Sequence, residues 1–397
     1  MTVAIGGGSP AGPQLMRAMN EKLLLDHLRH GGEASRADLA RMSRLSKPTV
    51  SLTLANLERA GLVRTTGVRT GVPGPAALLY QVRPEAGFVL ALDAGSEFLR
   101  GAIGDLSGSV RTRSALRSSA SRGQDRVREL RQLATSLLAD AGVRAGDVTQ
   151  TVLGSPGVYD PSRDALGLAG SLPGWDEPAV LASLRAAFGP SLMLENDVNA
   201  AALAERTHGH GQGVDNFAFI SVGTGIGMGL VLGGRLHRGA HGAAGEIGFL
   251  PFDSGHRSDA RDARRRGRLE AAASAAGIVR AARRLGMRGS VTAHRVFAAA
   301  GDGDERAVTV VAEEAALVAK AVGAVIAVAD PELIVLGGGV GQAAGFLDAV
   351  AAEVARFAPV RPELRVSALG THAVVDGCLA AGLDRAWETV MTTLLTA

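Results

Sequence analysis

The sequence predicts an α/β protein with a helical head in front of a duplicated body that has a cleft between its halves. Three observations predict this. Three helical patterns and a turn-rich hairpin occupy residues 1–82. A strand meander followed by helix and strand begins at Phe88, and the pattern restarts after Gly189. The 53 glycines fall between apolar runs, which makes them tight turns rather than disorder.

The head is read element by element. Leu15, Met19, Leu23, Leu24 and Leu28 recur near helical spacing over residues 15–29, and Gly31-Gly32 stops that helix. Ser35 is a good N-cap with Asp38 three residues on, so a second helix starts there and buries Leu39, Ala40 and Met42. A third starts at Ser46 with Pro48 in its first turn, carries Val50, Leu54 and Leu57 inward, and ends at Gly61. A strand over 62–66, a turn-rich tip over 67–75 and a return strand over 77–82 make a hairpin.

Three helices and a basic hairpin describe a winged helix-turn-helix. Its recognition helix enters the major groove N-terminus first. Ser46, Lys47, Thr49, Ser51 and Thr53 lie at that end, and Arg64 and Arg69 lie on the hairpin. Asn56 reaches DNA only if the helix lies deep in the groove. Hydroxyls at a helix start are also ordinary caps, so a purely structural helical module stays open on this segment alone. Charge favours DNA. Residues 1–85 carry eleven basic and six acidic side chains, whereas the whole chain is only +3.

Composition bounds the rest. The single cysteine, Cys378, excludes a disulfide framework and any multi-cysteine metal cluster, and fits a reducing cytoplasm. Residues 1–13 have no basic start or apolar core, so no signal peptide is expected, and the apolar run 321–329 is too short to cross a bilayer.

In the body, strands are expected over 88–93, 99–104 and 109–116, then a helix over 124–141 and a strand over 151–153. The second half offers strands over 217–222, 228–232, 235–237 and 332–336. Asn196-Asp197 pairs an amide with a carboxylate, a set that suits vicinal hydroxyls, and an aspartate can take a proton from a hydroxyl attacking phosphorus. The same dipeptide is equally a helix cap. The run from Gly223 to Gly229, with Thr224, is followed by a strand, so it is not a dinucleotide fingerprint, and no P-loop is present. A hairpin of this kind presents amides to a phosphate, or simply needs glycine for its backbone.

These residues together resemble the ROK family of repressors and sugar kinases. The signature lies over 222–235 and continues through Arg238 to Gly248, and the likeness extends from about Leu15 to the last helix. It implies an actin-like, hexokinase-like body. The head in front places the chain with the family's sugar-responsive repressors. By this likeness Gly157, Asn196, Asp197, Glu246 and Glu270 bind sugar, with Asp197 in the kinase base position. Asp93, Gly223, Thr224, Gly225 and Gly338 are the remnants of a nucleotide site. Departures matter as much. Phe249 stands where the family often has a histidine shared by sugar and zinc. The cysteine cluster is replaced by the arginine-rich stretch 253–268, which leaves His241 and His256 as a poor ligand set. Ser171 replaces a frequent asparagine. Glu97 puts a carboxylate where a phosphate-binding hydroxyl belongs.

The expectation is therefore a DNA-binding regulator, a repressor of carbohydrate-utilisation genes, with double-stranded operator DNA and a small sugar as partners. It would be a dimer or tetramer with no cofactor, no structural zinc and no catalysis. In a dimer the two recognition helices would lie about 34 Å apart. The alternative is an active sugar kinase with an accessory head, which would need Mg-ATP. The arginines over 257–268 leave phosphorylated sugars open beside the reading of a solvated charged loop.

Overall fold

The computed structural model describes residues 12–69, 77–170, 172–252 and 260–396. The head is built as its caps dictate. Helix α1 (Pro13–Gly31) stops at Gly32, whose φ of 71° suits glycine. The short strand β1 (Ala34–Ser35) leads into α2 (Arg36–Ser43), which starts on a full capping box between Ser35 and Asp38. Helix α3 (Lys47–Arg59) is capped by Ser46, whose hydroxyl accepts from the Thr49 amide. Strands β2 (Val63–Arg69) and β3 (Ala77–Val82) form the wing in a sheet of order β1-β3-β2. Most of the expected hairpin tip lies outside the described residues.

The apolar stripe of α1 divides. Leu24, Leu25 and Leu28 are buried with Leu39, Leu54 and Leu57, whereas Leu15, Met19 and Leu23 face outward. Met42, expected inside, is exposed as well.

The first lobe holds β4 (Phe88–Asp93), β5 (Phe98–Asp105), β6 (Val110–Arg117), α4 (Gly123–Ala141) and β7 (Val148–Ser155). It continues with β8 (Val158–Asp160), β9 (Ala165–Gly167), α5 (Pro178–Phe188), β10 (Leu192–Asn196) and α6 (Asp197–His208). The second lobe holds β11 (Phe217–Val222), β12 (Ile226–Leu232), β13 (Arg235–Leu236), α7 (Ala260–Arg266), α8 (Arg268–Ala273), α9 (Ala275–Arg284) and α10 (Ala293–Gly301). It ends with α11 (Glu305–Ala329), β14 (Leu333–Gly337), α12 (Gly338–Gly341), α13 (Phe346–Val354) and β15 (Glu363–Val366).

The duplication is explicit in the sheets. One has the order β10-β7-β4-β5-β6 and the other β15-β14-β11-β12-β13. In each, the first strand of the lobe is central, with an antiparallel meander on one side and parallel strands on the other. That shared order is the actin-like arrangement expected. The apolar run 321–329 lies in α11 and packs on the second lobe's core through Ala321, Val322, Val325 and Ile326, but the helix is buried on one stripe only and Val328 faces outward.

The last helix, α14 (Ala373–Thr396), ties the molecule together. It packs on α6, β4 and β7. At Gly377 a side chain would collide with the Ala200 carbonyl of α6, so the two helices cross backbone to backbone. Its last turns lie between the body and the head. Trp387 is buried, donates its indole N–H to the Leu106 carbonyl at 3.1 Å, and lies under the Arg29 guanidinium of α1. Arg29 also pairs with Asp384 at 3.0 Å. Ala386, Trp387 and Met391 share one hydrophobic core with Leu24, Leu54 and Tyr80 of the head. Among the described residues no helix is long and apolar enough to cross a membrane.

Candidate functional site

The cleft between the lobes is assembled from chain ends that the two sheets bring together. Strand β10 runs parallel to β7 with Asn196 opposite Ser155. Ser155 is fixed by the buried Trp175, whose indole N–H donates to its hydroxyl at 2.8 Å. Asn196 Oδ1 accepts from the amides of Val198 and Asn199, both at 3.0 Å, and its Nδ2 donates to the Gly157 carbonyl at 2.9 Å. Asn196 is thus a helix cap and also a clamp on the Gly157 turn. Gly157 has φ 81°, and a side chain there would strike Gly167 and Ala169.

Asp197 opens α6 and accepts from the Val198 amide at 2.8 Å. Burial raises its pKa to about 6, aided by the charge of Glu270 and opposed by the Val198 N–H. Glu246, in the turn before residues 247–249, is raised to about 7 by burial, then by Asp197 and Glu270. Asp93, at the end of β4, is raised to about 7 by burial and by Asp197, with Arg100 opposing at 3.6 Å. Four carboxylates from four elements therefore act on one another in one cleft.

Glu270 is not free in this cleft. Its Oε2 accepts from the Ile226 amide at 3.0 Å and its Oε1 from Arg266 Nε at 2.5 Å. Arg266 also donates to the Thr224 carbonyl at 2.6 Å. This arginine braces the glycine-rich hairpin, a role outside both expectations for the arginines over 257–268, a phosphorylated-sugar site or a solvated charged loop. Its spacing of four from Glu270 was the available signal. Gly225 is explained the same way: a Cβ there would lie 2.8 Å from Glu270.

Residues expected at a nucleotide site meet across the lobe boundary. Ser96 Oγ and Thr224 Oγ1, one from each lobe, lie 3.3 Å apart. The Gly223 amide is taken by the Gly225 carbonyl at 2.9 Å. Gly338 has φ 77°, and a Cβ there would clash with the Val222 carbonyl, so packing on β11 accounts for it. Glu97, expected inside the phosphate site, instead points out to Arg117 at 3.1 Å and is exposed. The buried Arg126 holds the carbonyls of Gly95 and Ser96 and so turns the loop that way. Phe249 and His241 are exposed. No three His, Cys, Asp or Glu side chains come together to hold a metal among the described residues. Ser171 and His256 lie outside them, as does part of the stretch 253–268.

The nucleic-acid face differs from its expectation in detail. Ser46 and Thr49 hydroxyls bond each other at 2.8 Å as part of the cap. Lys47 is exposed and Ser51 half-buried. Thr53 is buried in the head and cannot reach DNA, because it falls on the inward stripe with Val50, Leu54 and Leu57. Asn56 is held by the buried Glu21 at 2.9 Å. Arg64 pairs with Glu85 at 3.3 Å and Arg69 with Asp38 at 2.9 Å. The Ser35 hydroxyl, with Arg69, keeps the Asp38 pKa at about 2 despite its burial.

A family model of the ROK family matches residues 89–380. The chain belongs to the ROK family. Ahead of this ROK body, a MarR family model matches residues 17–71, the helices and first wing strand of the head. The bifunctional enzyme NanE/NanK of Brucella suis is 37% identical over 195 residues, 48% of this chain and 35% of that protein. The xylose repressor of Caldicellulosiruptor bescii is 25% identical over 393 residues, 92% of this chain and 96% of that protein. This ROK chain spans about a third of the length of the NanE/NanK relatives and about three-fifths of other xylose repressors it matches. A ROK family transcriptional regulator homologous to the E. coli MLC protein superposes with a TM-score of 0.73 at 24% identity, over 96% of this chain and 99% of its own. That likeness extends the shared fold through the head.

Proposed function

We propose that this ROK protein is a sugar-responsive DNA-binding regulator, a repressor of carbohydrate-utilisation genes. The observation that carries this reading is the continuity from Asp197 to the head. Asp197 is the first residue of α6, α6 crosses α14 at Gly377, and α14 ends in the hydrophobic core of the head. A sugar held by Asp197, Glu246 and the Gly157 turn would favour one interlobe arrangement. It acts only through unequal affinity for the two arrangements. The path through α14 then alters how the head presents α3. The repressor names among the relatives support this reading.

In this reading the protein works in the cytoplasm as a homodimer, on operator DNA and a small sugar, without a cofactor. Arg266 provides the brace in the stretch where the family resemblance assigns zinc-binding cysteines. Loss of phosphate transfer is part of this reading, and the Ser96–Thr224 hydrogen bond across the phosphate loops supports it.

The kinase reading keeps one observation in its favour. Asp197, raised to about 6, is poised as a general base. A coupled ATP assay over hexoses, pentoses and amino sugars separates the two. A regulator gives no turnover, a sugar-dependent rise in melting temperature, and release of a selected duplex by that sugar. Turnover abolished by Asp197→Asn, with duplex binding indifferent to every sugar, would establish the enzyme instead.

A further inference from the structure

The outward face of α3 carries little that can hydrogen-bond a base edge. Ser46 and Thr49 cap the helix, Thr53 lies in the core, and Asn56 is held by Glu21. Over its first three turns, what faces solvent beyond the cap is Lys47, Pro48, Leu52 and Ala55, with Ser51 half-buried beside them; Glu58 and Arg59 are exposed at the far, C-terminal end. Positions 48, 52 and 55 form one stripe of the helix. Leu52 is 63% exposed, at the centre of that stripe. Purines are read in the major groove by bidentate Arg, Lys, Asn or Gln. At the N-terminal end that enters the groove only Lys47 of these types is exposed, and Arg59 lies in the last turn, where it donates to Asn56 at 3.2 Å. The one apolar group that the major groove offers is the C5-methyl of thymine. Charge complementarity selects duplex DNA as the occupant. Arg44 and Lys47 flank the stripe, both are exposed, and neither forms an ion pair among the described residues.

We propose that Leu52 reads a thymine methyl in each half-site, so that specificity at that base pair rests on apolar contact rather than on hydrogen bonding. The inference rests on the head being a DNA reader. Lys47 and Arg44 then hold the helix on the phosphates, and Ala55 and Pro48 leave room for the leucine to approach the base.

The test uses the full chain. It selects duplexes from a randomised library, and single thymines of the enriched site are then replaced by deoxyuridine, which removes only the methyl. Loss of that methyl at one thymine per half-site is expected to weaken wild-type binding about fourfold, one methyl's burial. Leu52→Ala should bind thymine and uracil duplexes alike, with the salt dependence of wild type. Leu52→Met should keep the discrimination, which separates loss of contact from loss of fold. Indifference of wild type to every replacement overturns the proposal. So does a methyl effect that persists in Leu52→Ala, or a Leu52→Ala change in self-association with base preference intact, which would assign the stripe to a second copy. A library from which no sequence is enriched sinks the DNA-binding reading itself.

Discussion

Asp197 sits between a helix start that favours its anion and carboxylates that oppose it. Burial works most strongly against the charge, with Glu270 beside it, whereas the Val198 amide and the first turn of α6 stabilise it; Asp197 in turn raises Glu246 and Asp93, themselves raised mainly by burial. The outcome is a set of acids whose folded pKa values lie above their unfolded ones. Protonation therefore stabilises the fold. That contribution is complete below about pH 4, the unfolded range, and is lost as pH rises through about 6 to 7. The melting temperature of the body should fall between pH 5 and pH 8, and Asp93→Asn together with Glu246→Gln should flatten the profile; a slope that persists in the double variant would place its origin elsewhere. Arg266 offers a second check. Its pair with Glu270 is largely buried, so Arg266→Met strands a carboxylate and should cost about 3–5 kcal/mol in denaturant unfolding. Adding Glu270→Gln should recover part of the loss. The acids were legible in the sequence as residue types, because Asn196-Asp197 and Glu246 lie in dense local motifs. The Arg266 brace was not singled out, since an arginine among arginines carries no mark of which one turns inward.

At the scale of elements, α14 is the part whose packing matters most. Glycine at 377 and 382 lets it lie against the α6 backbone and against Val89 of the first sheet. Gly377→Ala should push the helices apart and destabilise the protein by about 1–3 kcal/mol, the usual cost of overpacking, read by urea unfolding. The far end tests coupling more cleanly. Asp384 is exposed, so its pair with Arg29 contributes at most about 1 kcal/mol, and the Arg29 contact with Trp387 adds about 0.5–2 kcal/mol; Arg29→Met should therefore lower the melting temperature modestly without unfolding the protein. Under the proposed function, sugar should still bind this variant while its effect on DNA affinity is blunted several-fold. Unchanged release in Arg29→Met would mean that the signal bypasses this contact. The elements themselves were largely readable. Capping boxes, a proline in a first turn and apolar alternation each act within a few residues, so Ser35, Ser46 and the inner strands of both sheets announced themselves, whereas the outer parallel strands β10 and β15 were not expected. What escaped was orientation: Thr53 and Met42 fall one position from the stripe to which composition alone assigned them. The role of α14 escaped too, because Trp387 meets Leu106 across 281 positions of chain and no local pattern encodes that contact.

For the whole molecule, under the proposed function, the shared core of head and α14 would let ligand at either end be felt at the other. If sugar lowers operator affinity by some factor, linkage requires operator to lower sugar affinity by the same factor. Calorimetric titration of sugar into free protein and into the protein–duplex complex should therefore give a ratio of sugar affinities equal to the ratio of duplex affinities with and without sugar. Couplings of this kind usually amount to about 5- to 150-fold, which is within easy reach of such measurements. Salt separates this from simple competition. Operator binding should weaken steeply with ionic strength through release of phosphate counterions, while the coupling factor, carried by the interior contacts of α6 and α14, should stay nearly constant. A coupling that vanishes with added salt would relocate the communication to surface charge, and the buried crossing at Gly377 would then have no part in it.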